Sequence, residues 1–188
     1  PALQDRLVTT MRRWSDCLWL RTWPRRARAL YESSGAYVGS LAGRSVLSGR
    51  GRHFFGTGTA FGALKRLGLE GDETIAVFGQ GPVGLSATQF GAAMGARVIA
   101  IEISPERRQL ATEKGADVVL DPTDIDPVAA IMDLTHGEGA HKAIETSGAK
   151  DARTAAVRGT RTWGVTCLIA GGGEITLDVG PDLTHRQK

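Results

Sequence analysis

One stretch, Thr74 to Glu102, limits what this chain can fold into more than any other. It opens with Thr74-Ile75-Ala76-Val77-Phe78, an apolar run too short for a helix and made of residues that suit a buried strand. The run ends in Gly79-Gln80-Gly81-Pro82-Val83-Gly84, and helix-compatible sequence follows from Leu85 to Met94. A second apolar run, Arg97 to Ile101, closes on Glu102. Strand, glycine turn, helix, strand and acid, in that order, describe a βαβ unit whose turn opens directly into a helix.

Each position in the turn has a physical task in that reading. Gly79 allows a sharp exit from the strand, Gly81 keeps side-chain atoms away from a ligand approaching the backbone, and Gly84 lets the helix pack closely on the strand. Pro82 suits an early helical position, where a missing N–H costs no helical hydrogen bond. The first-turn amides of Val83 and Gly84, aided by the helix dipole, then face outward as an anion site suited to a pyrophosphate. Glu102 follows Gly79 by 23 residues, close to the spacing of an acid that accepts hydrogen bonds from an adenosine ribose. A carboxylate there repels a 2′-phosphate, which favours NAD over NADP. A lone GxGxxG is weak evidence; its setting between two strands and before an acid is what points to a dinucleotide.

The rest of the chain repeats the alternation. Gly56 to Leu67 carries apolar residues at helical spacing and ends at Gly68, and Gly71-Asp72 is a turn. Ser104 is placed to cap a helix that starts at Pro105 and runs to Gly115, and Asp126 to cap one from Pro127 to about Thr135. Strands are expected at Asp117–Leu120, Lys142–Glu145 and Gly164–Ala170, with a helix over Lys150–Gly159. Gly171-Gly172-Gly173 and an alternating run, Glu174–Val179, follow without a clear sixth strand. Strands regularly separated by helices predict an α/β fold, a Rossmann-type doubly wound parallel sheet with its C-terminal half truncated.

Charge divides the chain in two. Residues 1–54 hold ten arginines, no lysine and three acids, a balance of +7, against a whole-chain charge of +3. Three of the four tryptophans (Trp14, Trp19 and Trp23) lie there as well, and the segment shows no clean hydrophobic period. The expected division is an irregular basic arm over 1–54 and an NAD(P)-binding domain over 55–188. Phosphate contacts and base stacking by the arm are the nucleic-acid alternative; a solvated basic tail is the simpler reading. No apolar run reaches the ~20 residues of a membrane helix and no start resembles a signal peptide. Cys17 and Cys167 form no metal-spacing motif. These features lead to the expectation of a cytoplasmic protein without nucleic-acid or membrane partners.

Several short segments, in order, then carry a specific likeness: GTGTAFGAL at 56–64, AVFGQGPVG at 76–84, SPERRQLA at 104–111, KGADV at 114–118 and ETSG at 145–148. Over residues 55–188 the chain resembles the cofactor domain of zinc-type alcohol dehydrogenases of the medium-chain dehydrogenase/reductase family. The resemblance implies reversible hydride transfer between NAD(P) and a small alcohol/carbonyl pair, with zinc polarising the substrate oxygen in intact relatives, and a homo-oligomer. It implies that Gly79, Gly81, Pro82, Val83, Gly84 and Glu102 hold the adenosine and pyrophosphate end of the cofactor. It places Ser147, Gly148, Gly171 and Gly172 in the strand-end loops nearest the nicotinamide. No catalytic residue or zinc ligand is assigned within this chain. Relatives in the alcohol dehydrogenase branch have a zinc-binding cysteine just before the GTGTA-like segment, and Phe55 stands there. The alternative to an enzyme is therefore a dinucleotide-binding fragment that lacks the zinc-binding catalytic domain and catalyses nothing.

The genetic code offers a reason for the mismatch upstream. Codons for residues 31–54 read one base later permit a string like the family's usual approach to the GTGTA segment. Loss of one G near Phe54-Phe55 converts the family's Ser-Cys-Gly to Phe-Phe-Gly and rejoins the frames. Residues 1–54 are accordingly expected to be an out-of-frame translation, with no reason to build a core. Elsewhere, His136, Glu138 and His141 are read as solvated loop residues rather than metal ligands, and Cys167 and Trp163 as packing residues. Arg107 and Arg108 either reach the adenosine phosphate region or pair along their helix with Glu106 or Glu113.

Overall fold

The computed structural model describes residues 47–185, with backbone alone over 47–55. Expectations that concern residues 1–46, the basic arm with its tryptophans and most of the expected out-of-frame segment, lie outside the described residues.

Five strands form one sheet: β1 (Thr74–Phe78), β2 (Arg97–Ile101), β3 (Val118–Leu120), β4 (Ala140–Glu145) and β5 (Thr160–Leu168). Their order is β3-β2-β1-β4-β5 and every neighbouring pair is parallel. Parallel neighbours need crossovers, and helices supply them: α1 (Leu47–Leu67) precedes the sheet, and α2 (Pro82–Met94), α3 (Pro105–Glu113), α4 (Pro127–Leu134) and α5 (Lys150–Arg158) link successive strands. The chain starts in the middle, winds outward through β2 and β3, then returns to the other side of β1. That is the doubly wound, Rossmann-type arrangement.

Both faces of the sheet are covered, which explains why β1 is buried at all five positions. Ile75 and Val77 point to one face, where they meet Leu64 of α1, Phe90 of α2 and Ala111 of α3 in a single core. Ala76 and Phe78 point to the other, against Ile131 of α4 and Ala155 and Ala156 of α5. Phe61 and Phe90 join α1 to α2 edge to face, with ring centroids 5.7 Å apart. The expected caps are present. Ser104 Oγ accepts from the Arg107 amide at 3.4 Å, and Asp126 Oδ1 accepts from the Val128 amide at 2.9 Å, each before a proline at the first turn.

Some details depart from the sequence-based expectation. α1 begins at Leu47, so the helix runs through the expected boundary at 54/55. Once the apolar turns from Ala60 to Leu67 are anchored in the core, extending a helix costs far less than starting one. β5 starts at Thr160 rather than Gly164, because its register against β4 jumps from Ala140↔Thr160 to Lys142↔Val165. The extra residues bulge outward, and Trp163 sits there at φ 62°, 73% exposed. It packs on nothing that buries it, contrary to expectation. His141 belongs to β4 rather than to a loop, and its Nδ1 accepts from the Thr74 amide at 3.1 Å. The alternating run Glu174–Val179, read from the sequence as no clear sixth strand, lies outside the sheet. It crosses α5 instead, held by Thr154 Oγ1 to the Thr176 carbonyl at 3.4 Å. A π-helical turn, Val179–Thr184, follows. Its Asp182 receives two bonds from Arg158, at 2.9 and 3.0 Å.

Candidate functional site

In a doubly wound sheet the crossovers leave on opposite faces at the point where the strand order reverses, and a crevice opens there beyond the strand ends. Here that point lies between β1 and β4. The Thr146 amide donates to the Phe78 carbonyl at 2.9 Å. The Thr146 hydroxyl donates to the Phe78 and Gly79 carbonyls, each at 3.0 Å. The two strand ends are thereby stitched together at the crevice floor.

The three glycines of the turn differ sharply in why they must be glycine. Gly79 adopts φ +84°, and a Cβ on it would lie 2.9 Å from the Ser147 amide and Cβ. A Cβ on Gly84 would lie 1.8 Å from the Gly79 carbonyl oxygen and 2.9 Å from the Thr146 hydroxyl. Both are required by the fold itself. Gly81 is not: it has φ −69° and ψ −173°, open to any residue, and a Cβ there would meet nothing within 4 Å. It is half-buried and caps α2 without a side-chain hydrogen bond. The helix geometry leaves the amides of Val83 and Gly84 without intrahelical acceptors, and the exposed Pro82 ring forms the lip.

Glu102, at the tip of β2, is 5% exposed. Its Oε2 accepts from the Gln80 amide at 2.6 Å and its Oε1 from the Ser104 amide at 3.0 Å. The acid therefore lies at the mouth of the turn and holds it. Gln80 completes the lock from below: fully buried, it donates to the Val77 carbonyl at 3.1 Å and accepts from Thr88 of α2 at 2.9 Å. Arg107, half-exposed, stands 3.8 Å from Glu102 Oε2. Arg108 turns away to pair with Asp121 and donates to the Glu102 and Ile103 carbonyls at 3.0 and 2.7 Å. Of the two partners expected along the helix, Glu113 pairs with neither arginine; Glu106 feels both, its carboxyl being held below the usual range by the Ser104 hydrogen bond first and by Arg108 and Arg107 after it. Hydrogen bonds from Thr123, side chain and amide, reinforced by Arg108, hold the Asp121 carboxyl below its usual range.

On the β4 side the expected residues fall into two loops. Ser147 abuts Gly79, and Gly148 (φ +77°) lies against Ala170 at the end of β5. Gly171 and Gly172 are exposed in the next loop, and a side chain at either would meet nothing within 4 Å. Two residues that sequence reasoning missed hold these loops. Glu145, the last residue of β4, is fully buried, and its Oε1 accepts from the Ser147 amide, the Ser147 hydroxyl and the Gly148 amide at 2.6, 2.6 and 2.8 Å. Arg153 of α5, 4% exposed, places Nε 3.7 Å from Glu145 Oε2. An acid closing the apolar pair Ala143-Ile144, followed eight residues later by an arginine, was the available signal.

Among the described residues no group of three or more His, Cys, Asp or Glu side chains could hold a metal ion. None of their helices is long and apolar enough to cross a membrane. Burial pushes the half-buried Cys167 thiol up, away from thiolate character.

Sheet order, crevice and glycine turn define a Rossmann-type α/β domain. A family model described as zinc-binding dehydrogenase matches residues 82–188, more than half of the chain, and the chain belongs to that family. It is 35% identical over 136 residues to the zinc-type alcohol dehydrogenase-like protein YphC of Escherichia coli K12, covering 71% of this chain and 38% of the relative. An alcohol dehydrogenase of Geobacillus stearothermophilus is 35% identical over 111 residues, covering 59% and 32%. Among solved structures, 2R,3R-butanediol dehydrogenase from Bacillus subtilis superposes with a TM-score of 0.63 at 33% identity, over 70% of this chain and 38% of that one. The chain thus spans about a third of the length of these curated relatives. The zinc implied by the family finds no matching donor set among the described residues.

Proposed function

We propose that this chain is the cofactor-binding half of an NAD-dependent alcohol dehydrogenase acting on a small alcohol or carbonyl compound in the cytoplasm. Bound NAD would supply the hydride acceptor. The observation that carries the reading is Gly81. Gly79 and Gly84 are glycine because the fold would collide with anything larger; Gly81 has room and ordinary backbone angles, so its bareness serves something outside the fold. A diphosphate resting on the amides of Val83 and Gly84 is the ligand that such a bare helix start suits. Glu102 accepts from the adenosine ribose hydroxyls and disfavours a 2′-phosphate, and Ser147, Gly148, Gly171 and Gly172 border the nicotinamide end.

A second reading concerns this polypeptide by itself. With no metal-binding cluster among the described residues, it binds NAD without turnover, and hydride transfer belongs to an intact protein that also carries a zinc-binding catalytic domain. Residues 1–54 are proposed to be an out-of-frame translation, and an encoding DNA sequence that cannot spell the family-like alternative overturns that.

Calorimetric titration of the full chain with NAD and NADP tests the cofactor reading. NAD binds more tightly than NADP, and Gly81→Ala weakens NAD by at least about tenfold while changing folding stability by under about 0.5 kcal/mol. Unchanged NAD affinity in Gly81→Ala sinks the proposal. Zinc-dependent alcohol oxidation by the purified chain would decide for the enzyme over the binding module.

A further inference from the structure

The loops at the ends of β4 and β5 share no backbone ladder beyond Ile169, whose amide donates to the Glu145 carbonyl at 2.9 Å. What spans them is one buried guanidinium. Arg153 donates to the Ala170 carbonyl at 3.2 Å and the Glu174 carbonyl at 3.4 Å, on either side of the glycine triplet. Its Nε faces Glu145 Oε2, a buried oxygen with no hydrogen-bond partner of its own. The other oxygen of the same carboxylate gathers three donors from Ser147 and Gly148. Gly173 completes the arrangement: a Cβ there would lie 2.3 Å from an Arg153 guanidinium nitrogen.

We infer that Arg153 and Glu145 are positioning residues that fix the two strand-end loops as one wall for the nicotinamide half of the cofactor. The inference rests on the proposed cofactor reading. A buried ion pair is a poor way to add stability, since an apolar pair of similar volume serves as well or better. What it provides here is directed contact: one carboxylate oriented toward one loop and one planar fork toward the other, a geometry that apolar side chains cannot supply. The pair touches neither Gly81 nor Glu102, so it acts on one end of the ligand alone.

The test is a ratio. The full-length chain is titrated with NAD and with ADP-ribose, which lacks the nicotinamide, in wild type, Arg153→Met, Arg153→Lys and Gly173→Ala. Gly173 is exposed, so its substitution displaces the guanidinium from outside the core and keeps the test open if Arg153→Met does not fold. In Arg153→Met and Gly173→Ala, the preference for NAD over ADP-ribose falls about tenfold, the effect of losing one or two positioned hydrogen bonds, while ADP-ribose affinity holds. Arg153→Lys, which keeps the charge beside Glu145, recovers part of that ratio. Equal loss for both ligands, or an unchanged ratio in Gly173→Ala, overturns the inference. Failure of the wild-type chain to bind either ligand overturns the cofactor reading itself.

Discussion

The turn after β1 and the paired loops after β4 and β5 border one crevice but are built by opposite means. The first is specified by the absence of side chains. Gly79 and Gly84 let the backbone approach Ser147 and the Gly79 carbonyl, and any added carbon collides. The second is specified by the presence of two long, buried side chains: Glu145 gathers the loop that follows it, and Arg153 reaches across to the loop after β5. A turn built on bare backbone tolerates almost no substitution at Gly79 or Gly84 and has a fixed spacing. A wall built on a bridging pair depends on two positions brought together by the helix between them. The two constructions should fail differently when disturbed.

The largest effect is expected on the β4 side. Arg153→Met leaves the buried Glu145 carboxyl without its partner, and should lower unfolding free energy by about 3–5 kcal/mol in urea titration. The double replacement with Glu145→Gln should recover part of that loss; no recovery would show that the arginine acts by packing alone. Next comes Gly84→Ala, where a Cβ at 1.8 Å from a backbone oxygen forces α2 off β1. A cost of about 3 kcal/mol is expected by the same measurement, and a neutral result would break the contrast drawn with Gly81. Thr146→Val removes the hydroxyl shared by the Phe78 and Gly79 carbonyls but spares the amide bond to Phe78, and should cost about 1 kcal/mol.

The smallest effect is one of pH. Asp121 has its carboxyl pulled below the usual range by Thr123 first and Arg108 after it. The folded state therefore holds fewer protons there than the unfolded one as pH falls through the carboxylate range. Its contribution to stability is complete above the ordinary carboxylate value and disappears as pH drops through the lowered one. Asp121→Asn should flatten the acid limb of a stability-against-pH curve; an unchanged slope would remove Asp121 from the account.

The same contrast explains how much could be read from the sequence. The glycine turn, the acid at Glu102 and the caps at Ser104 and Asp126 were legible because each acts within a few residues or at a fixed spacing. The parallel, doubly wound character of the sheet followed from strict alternation of strand and helix; the strand order did not. Glu145 was visible only as part of a motif, and Arg153 not at all, because their meeting depends on how α5 lies against β4. Trp163 misled for a related reason: nothing in Thr160–Leu168 announces that β5 slips against Ala140 and Lys142, so an aromatic beside a strand reads as core. The start of α1 was missed because helix extension beyond a packed segment leaves no hydrophobic period of its own.

The carboxylate of Glu102 has a further consequence. It already holds the Gln80 and Ser104 amides at 2.6 and 3.0 Å, so the tip of β2 and the turn after β1 are yoked before any guest arrives. The conformational freedom of that corner is lost when the chain folds, not when a molecule docks. Arrival should then demand little rearrangement, leaving more of the interaction free energy to appear as affinity.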